Sequence, residues 1–351
     1  MTSPFDHPWL GGLFGDQEAA DIWAPQRTIA HMLAFEAAYT RALGKVGKVD
    51  QALAVQVAQQ IAAFKPDIAD LRDGAAQDGV VVPALVAQLK DAIQPSTDSI
   101  HSGTTSQDVI DTALALTLRD FSELLDVRLA ALTSAFDVLA DRFGDRPIMG
   151  RTRMQAALPV KVSDRLVTWS QPLAAHRKRL ASLRPEVARL QLGGAAGDRA
   201  ALAPNAAQIS REMATELGLQ NPATAWHSMR ADIADYANLL SLISGALGKF
   251  GQDICLMAQQ GVDEVTLKSG GGSSAMPHKQ NPILAELLVT LARFNATQVS
   301  GMHHALIHEQ ERSGAAWALE WMILPQMAQT TARSLSAATQ LCEKITSIGR
   351  Q

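Results

Sequence analysis

The densest chemistry in this chain sits in SGGGSSAMPHKQNP, the segment from Ser269 to Pro282. Three consecutive glycines give the backbone the freedom needed by a lid that closes over a ligand. Asn281 suits a helix N-cap and Pro282 the first helical position, so Lys279 is expected just before a helix N-terminus. An ammonium beside the positive end of a helix dipole is a receptor for carboxylate or phosphate. The glycine spacing before Lys279 is not that of a Walker motif, so a nucleotide loop is not implied. A flexible Gly/Ser linker would share the glycines, but it would not continue into MPHKQNP and an apolar helix.

Two other polar loops carry anion-binding residue types. The first, His101-Ser102-Gly103-Thr104-Thr105-Ser106-Gln107-Asp108, precedes an apolar helix, so free N–H groups and the hydroxyls of Thr104, Thr105 and Ser106 can face an anion. Ordinary helix capping uses the same residues. The second, Gly150-Arg151-Thr152-Arg153-Met154-Gln155, sets two guanidiniums around a threonine, which suits anion contact or a solvated basic turn. His227 and Arg230 stand at the start of another long apolar seam, where a histidine titrates near neutrality or is simply half-buried. His304 and His308, one helical turn apart with His303, Glu309 and Glu311 nearby, have metal-ligand spacing. No third ligand is fixed, so no metal is expected.

Long helices must position these loops. Met229, Ile233, Tyr236, Leu240, Ile243, Leu247, Phe250, Ile254 and Met257 alternate steps of four and three, the seam of a rod. Leu118, Leu125, Leu132 and Leu139 form a second seam, opened by Thr105 and Ser106 and closed by Gly144 and Pro147. Further rods are expected from Asn281-Pro282, from about Ala316 to Ile348 with a kink at Pro325, and from Asp164 to Leu183 across Pro172. Shorter helices (Gln26 to Val46, Asp50 to Phe64, Val82 to Ile93) precede them. The reading is an N-terminal helical domain over 1–107 and a central long-helix bundle over 108–351. The segments Arg184 to Pro222 and Gly261 to Pro277 are expected to be irregular. Strand signals are almost absent, and seams this extensive call for partner subunits.

Composition agrees with helix. The 351 residues are 47% hydrophobic but only 5% aromatic, which disfavours a β-sandwich or barrel. A net charge of −4 without a basic stripe gives no footprint for nucleic acid. Cys255 and Cys342 lie in apolar helical contexts, which points to a reducing compartment. No signal peptide or apolar run of membrane-spanning length is read, so a cytoplasmic, soluble protein is expected.

GGGSSAMPHKQNP resembles the GSSxMPxKxNP signature of the fumarase/aspartase superfamily. HSGTTSQDVIDTA is similar to that superfamily's first motif and GRTRMQAALP to its second, in the same order. The resemblance spans essentially the whole chain. SQDVIDTA, QLGGAAGDRAAL and AWHSMRADIADYANLL look most like the bacterial carboxymuconate cycloisomerases, with adenylosuccinate lyase the next nearest group. The resemblance implies an all-α fold, with a five-helix central domain assembling into the twenty-helix core of a homotetramer. Three motifs from three subunits would meet in each active site. It implies a small polycarboxylate substrate, no cofactor, and no metal, nucleic acid or membrane. The implied reaction is β-elimination through an aci-carboxylate, or its reverse; in the cycloisomerases the departing group is the substrate's own carboxylate, so a lactone opens or closes.

By that resemblance, Ser273 moves the Cα proton, and Lys279 stabilises the aci-carboxylate with Asn281 and the helix N-terminus. Glu286 matches the glutamate that normally orients a catalytic histidine. His101, Thr104, Thr105, Ser106, Arg151, Thr152, Arg153, Gln155, His227, Arg230, Ser274 and Met276 complete the expected substrate-binding set. Two departures stand out. The second-motif histidine is replaced by Arg153, with Ala156 at the alternative position, so the acid serving the leaving group is missing. A carboxylate leaving group needs no such acid, whereas an amine or alkoxide does. His101 and His227 remain candidates for an acid/base role. Superfamily members usually continue into a C-terminal helical domain, which is expected to be absent or truncated in a chain ending at Gln351.

Overall fold

A computed structural model describes residues 3–93, 97–268, 270–272, 276 and 279–349. The chain order is α1 (Gly11–Phe14), α2 (Gln17–Ile22), α3 (Pro25–Lys45), α4 (Gln51–Ala63), α5 (Ile68–Asp78), α6 (Val82–Ala92), α7 (Ser106–Phe143), β1 (Pro147–Thr152), β2 (Gln155–Lys161), α8 (Val162–Val187), α9 (Ala206–Leu217), α10 (Ala231–Met257), β3 (Val265–Leu267), α11 (Ile283–His304), α12 (Ala315–Lys344) and β4 (Ile345–Ile348). Five of these, α7, α8, α10, α11 and α12, are the expected rods.

Helix α7 begins at Ser106 because Thr105 and Asp108 form a capping box: each side chain accepts from the other residue's backbone N–H. Its seam residues Leu118, Leu125, Leu132 and Leu139 are buried, as are Phe121 and Phe136 between them. Each such side chain contributes about 1.5–3 kcal/mol by leaving water. Arg177–Asp126 and Arg184–Glu123 ion pairs set α8 antiparallel to α7. Tyr236 and Ser122 share a 2.9 Å hydrogen bond and Phe250 packs on Phe136 further along, so α10 runs parallel to α7. Phe136, Trp169 and Phe250 knit the three rods together, with Phe250 5.1 Å from Phe136 and 4.9 Å from Trp169 between ring centroids.

Helix α11 runs back along α10, and glycines allow the close approach. A Cβ on Gly248 would stand 2.4 Å from that of Ala292, and one on Gly251 would stand 2.5 Å from the Ala285 carbonyl oxygen. Buried Asn295 on α11 donates to Ser244 of α10 at 3.1 Å and to Thr331 of α12 at 2.9 Å. A second core gathers α3, α4 and α6, the first turns of α7 (Val109, Ala113, Leu116) and Leu190, Leu192 and Met213.

Several boundaries differ from the sequence reading. Met229 precedes α10 and is exposed, so that seam starts at Ile233. The stretch read as irregular from Arg184 contains α9, whose Ile209, Met213 and Leu217 bury one face. Helix α12 continues through Pro325 but ends at Lys344; Ile345–Ile348 turn into a strand paired antiparallel with β3. Asn281 does not cap α11, because Pro282 takes that place. Asn281 instead bridges Gly271, with backbone N···O distances of 2.8 and 2.9 Å. The second polar loop is a hairpin, β1 with β2.

Candidate functional site

The first polar loop is clamped between α3, α7 and the 193–194 turn. Asp108 does more than cap α7. Its carboxylate also accepts the N–H groups of Gly193 at 2.8 Å and Gly194 at 2.9 Å, and it meets His227 Nε2 at 2.8 Å. His227 is 3% exposed, and its other ring nitrogen has no hydrogen-bond partner among the described residues. Thr104 Oγ1 is likewise buried without one. Thr105 Oγ1 accepts from the Arg312 guanidinium, and Ser106, the first helical residue, is half-buried. His101 lies in the left-handed region with φ 57°, and its ring Nδ1 is 2.6 Å from the carboxylate of Glu36 on α3.

Arg230 belongs to a different network. It is 2% exposed, with NH1 2.8 Å from Asp111 Oδ2 and Nε 2.9 Å from Glu320 Oε1. Burial acts to discharge the guanidinium, but the two carboxylates outweigh it and hold the pKa above the ordinary arginine range. Burial pushes the Glu320 carboxyl upward, with Arg230 opposing. An incoming carboxylate would find the Arg230 charge already compensated, so the expected substrate contact at Arg230 is replaced by an internal ion cluster. His308 approaches the cluster at 4.0 Å from Glu320. Burial and the Arg230 charge lower its pKa. Because α11 stops at His304, His304 and His308 do not share a helix face, and the metal-ligand spacing read from sequence is not realised.

The other two loops lie at the far end of the rods. Arg151, at the end of β1, pairs with buried Glu264, just beyond the end of α10. Arg153 and Met154 form the hairpin turn with φ 49° and 68°, between Thr152 and Gln155, and all four are exposed. The two left-handed residues turn the chain in two positions, which suits the twist of a β-hairpin. A cavity of about 410 Å³ opens here, lined by Arg151, Arg153, Arg165, Lys249, Asp253 and Glu264 among others. Glu264 pairs with Arg151 and Asp253 with Lys249, so among the described residues Arg153 and Arg165 are the guanidiniums that leave a net positive lining, which suits an anionic ligand. Lys279 is exposed just before α11, and its N–H donates to the Met276 carbonyl at 3.0 Å. Met276 is exposed too, and Glu286 sits exposed on the first turn of α11, where the helix dipole favours a carboxylate. Ser273 and Ser274 lie outside the described residues.

The protomer thus brings His101, Thr104, Thr105, Ser106 and His227 to one end of the bundle. Arg151–Gln155 and Lys279–Glu286 are at the other. Helix α7 separates them with 38 residues, a rod of about 57 Å. Sequence reasoning passed over Glu36, Asp108, Asp111, Glu264 and Glu320. Only Asp108 carried a local signal, an acidic residue three positions after a capping threonine.

A family profile described as "Lyase" matches residues 7–301. The chain is 36% identical over 332 residues to the 3-carboxy-cis,cis-muconate cycloisomerase of Pseudomonas aeruginosa, covering 92% of this chain and 72% of that protein. It is 30% identical over 323 residues to the N-acetyl-S-(2-succino)cysteine lyase of Dickeya dadantii, covering 91% and 71%. The crystal structure of the 3-carboxy-cis,cis-muconate lactonizing enzyme from Pseudomonas putida superposes with a TM-score of 0.91 at 32% identity, over 97% of this chain and 77% of that one. Long-helix architecture, loop order and similarity over nearly the whole chain agree: this protein belongs to the Lyase family of the fumarase/aspartase superfamily.

Proposed function

We propose that the protein interconverts 3-carboxy-cis,cis-muconate and a carboxymuconolactone, in the breakdown of aromatic acids through protocatechuate. In the lactone-forming direction a substrate carboxylate adds to the conjugated double bond, forming a C–O bond, while a proton is delivered to the neighbouring carbon. The intermediate carries extra negative charge on a carboxylate. Lys279, Asn281 and the start of α11 stabilise it, and Ser273 carries the proton. Arg151 to Gln155 and the Thr104–Ser106 loop receive the remaining carboxylates.

One observation carries this reading. The family position for the leaving-group acid is Arg153, which is exposed at a hairpin tip and cannot donate a proton near neutral pH. Carboxylate departure needs no donor, because a carboxylate is already a weak base at pH 7. The separation of the loops by α7 supports a homotetramer in which neighbouring subunits complete each site. Exposed Val127, Val138 and Val167 on the rods, with Met154 and Leu158 on the hairpin, give such an assembly apolar surface to cover. Among the described residues no helix is long and apolar enough to cross a membrane, in keeping with a cytoplasmic tetramer.

A second reading is β-elimination from a succinyl adduct, releasing fumarate. The similarity to a lyase named for a succinyl thioether favours a thiolate over an amine as the departing group. A thiolate, with a thiol pKa near 8.5, also leaves without strong acid help. Adding protein to 3-carboxy-cis,cis-muconate decides between them: the diene absorbance falls under the first reading. An unchanged spectrum with the assembly intact, together with fumarate release from a succinyl thioether, selects the second.

A further inference from the structure

His101 and His227 are both held by carboxylates at the start of α7, but their surroundings differ. His227 is enclosed: Nε2 is bound by Asp108, and a Cβ on Gly193 would lie 2.6 Å from its ring Cε1. The His101 side chain keeps 16% of its surface, and among the described residues its ring is engaged through Nδ1. Glu36, fully buried, grips His101 twice. Oε1 lies 2.6 Å from Nδ1, and Oε2 accepts the His101 backbone N–H at 3.1 Å. Among the described residues His101 is the only ion-pair partner that Glu36 has. A carboxylate taken wholly out of water without a lysine or arginine is costly, so this pairing is what makes its burial tolerable.

The grip extends along α3. Glu36, Tyr39 and Thr40 share one helix face at i, i+3 and i+4. Tyr39 donates to the Ser102 carbonyl, and Thr40 donates to the Ser99 carbonyl at 3.2 Å. One face of α3 therefore holds the loop on both sides of a histidine whose backbone is left-handed. With Nδ1–H donated to Glu36 the ring orientation is fixed, and among the described residues Nε2 is the nitrogen left for a ligand; in the imidazolium it carries the second N–H donor. We propose that Glu36 is a positioning residue for the reaction proposed above, fixing His101 as an imidazolium whose Nε2–H donates to a carboxylate of the substrate. The assignment rests on that reading of the reaction. It selects His101 over His227 as the histidine in contact with substrate.

A double-mutant cycle of Glu36→Gln and His101→Gln tests it, with kcat and KM measured for loss of the diene and for fumarate release. Each single variant is expected to lower kcat/KM by about 10- to 100-fold, the scale seen for partners that orient metal-ligating histidines. The double variant is expected to match His101→Gln within about 2-fold, because Glu36 acts only through His101. Multiplying losses would mean that Glu36 serves folding alone, and full activity in either single variant would mean that the pair is idle; both overturn the proposal. Wild-type protein inactive in both assays would defeat the reaction, not the pair. Nitrogen-15 NMR of histidine-labelled protein reads the pair without substrate: the His101 Nδ1 proton is present in wild type and altered in Glu36→Gln. An Nδ1 without a proton in wild type overturns the proposal.

Discussion

Arg230 and Asp111, 119 residues apart in sequence, face each other in the interior with N···O distances of 2.8 and 3.2 Å. Asp111 also accepts from Gln107 at 3.0 Å, Gln191 at 3.3 Å and Trp317 at 3.0 Å, so the first turns of α7, the 188–194 segment and α12 are tied to one carboxylate. Removing it leaves a buried guanidinium facing Glu320 alone and strands three further donors. Asp111→Ala is expected to lose about 3–5 kcal/mol in urea unfolding, and Asp111→Asn less, because an amide oxygen still accepts.

Acid should weaken the fold through His31. Burial, aided by Arg27 and Arg119 and opposed by Asp120, depresses its pKa from 6.5 to about 4. The unfolded chain then takes up a proton in a window where the folded chain does not, so stability falls as pH drops from about 6.5 to about 4. Allowing for partial solvent screening, the share due to His31 is about 1–2 kcal/mol. His31→Leu should flatten unfolding midpoints across that window; an unchanged slope would assign the acid sensitivity elsewhere.

Gly251 tests whether the α10–α11 contact positions the lysine loop. Alanine normally gains about 1 kcal/mol over glycine inside a helix. At Gly251 the added carbon would meet the Ala285 carbonyl at 2.5 Å and Leu288 Cβ at 2.8 Å, and overpacking of that kind costs about 1–3 kcal/mol. The clash should win. Thermal unfolding is expected to show Gly251→Ala destabilised and Gly245→Ala, with nothing within 4 Å in the protomer, stabilised. Since Ala285 opens α11 beside Glu286, activity should fall with the first variant only.

Lys279 is exposed in the protomer, so Lys279→Met should leave folding intact. Loss of the ammonium from the developing negative charge is expected to lower kcat by about 10²- to 10³-fold. Ser273→Ala is expected to abolish turnover with assembly unchanged, read by size-exclusion chromatography beside the diene assay.

The rods were legible because their signals are local. Leucines seven apart declared α7, and Thr105 with Ser106 marked its first turn. The hairpin was not, because every residue of β2 is exposed and no alternation of apolar and polar residues advertises it. Arg230 illustrates the limit for charged groups. Its residue type suits an anion receptor, but Asp111 and Glu320, 119 and 90 positions away, decide that it is an internal ion. His101 was legible as a candidate and Glu36 was not, since a carboxylate in the middle of an amphipathic helix shows no partner until the helix is packed.

The 38-residue length of α7 bears on inheritance as well as on chemistry. If the proposed tetramer shares its sites, lesions at the two ends of α7 fall in different halves of each site, so chains carrying His101→Gln and chains carrying Lys279→Met, each impaired alone, should rescue one another when co-expressed. Mixed assemblies of the proposed tetramer would rebuild a fraction of sites from two intact ends, and their measured activity should exceed that of either parent.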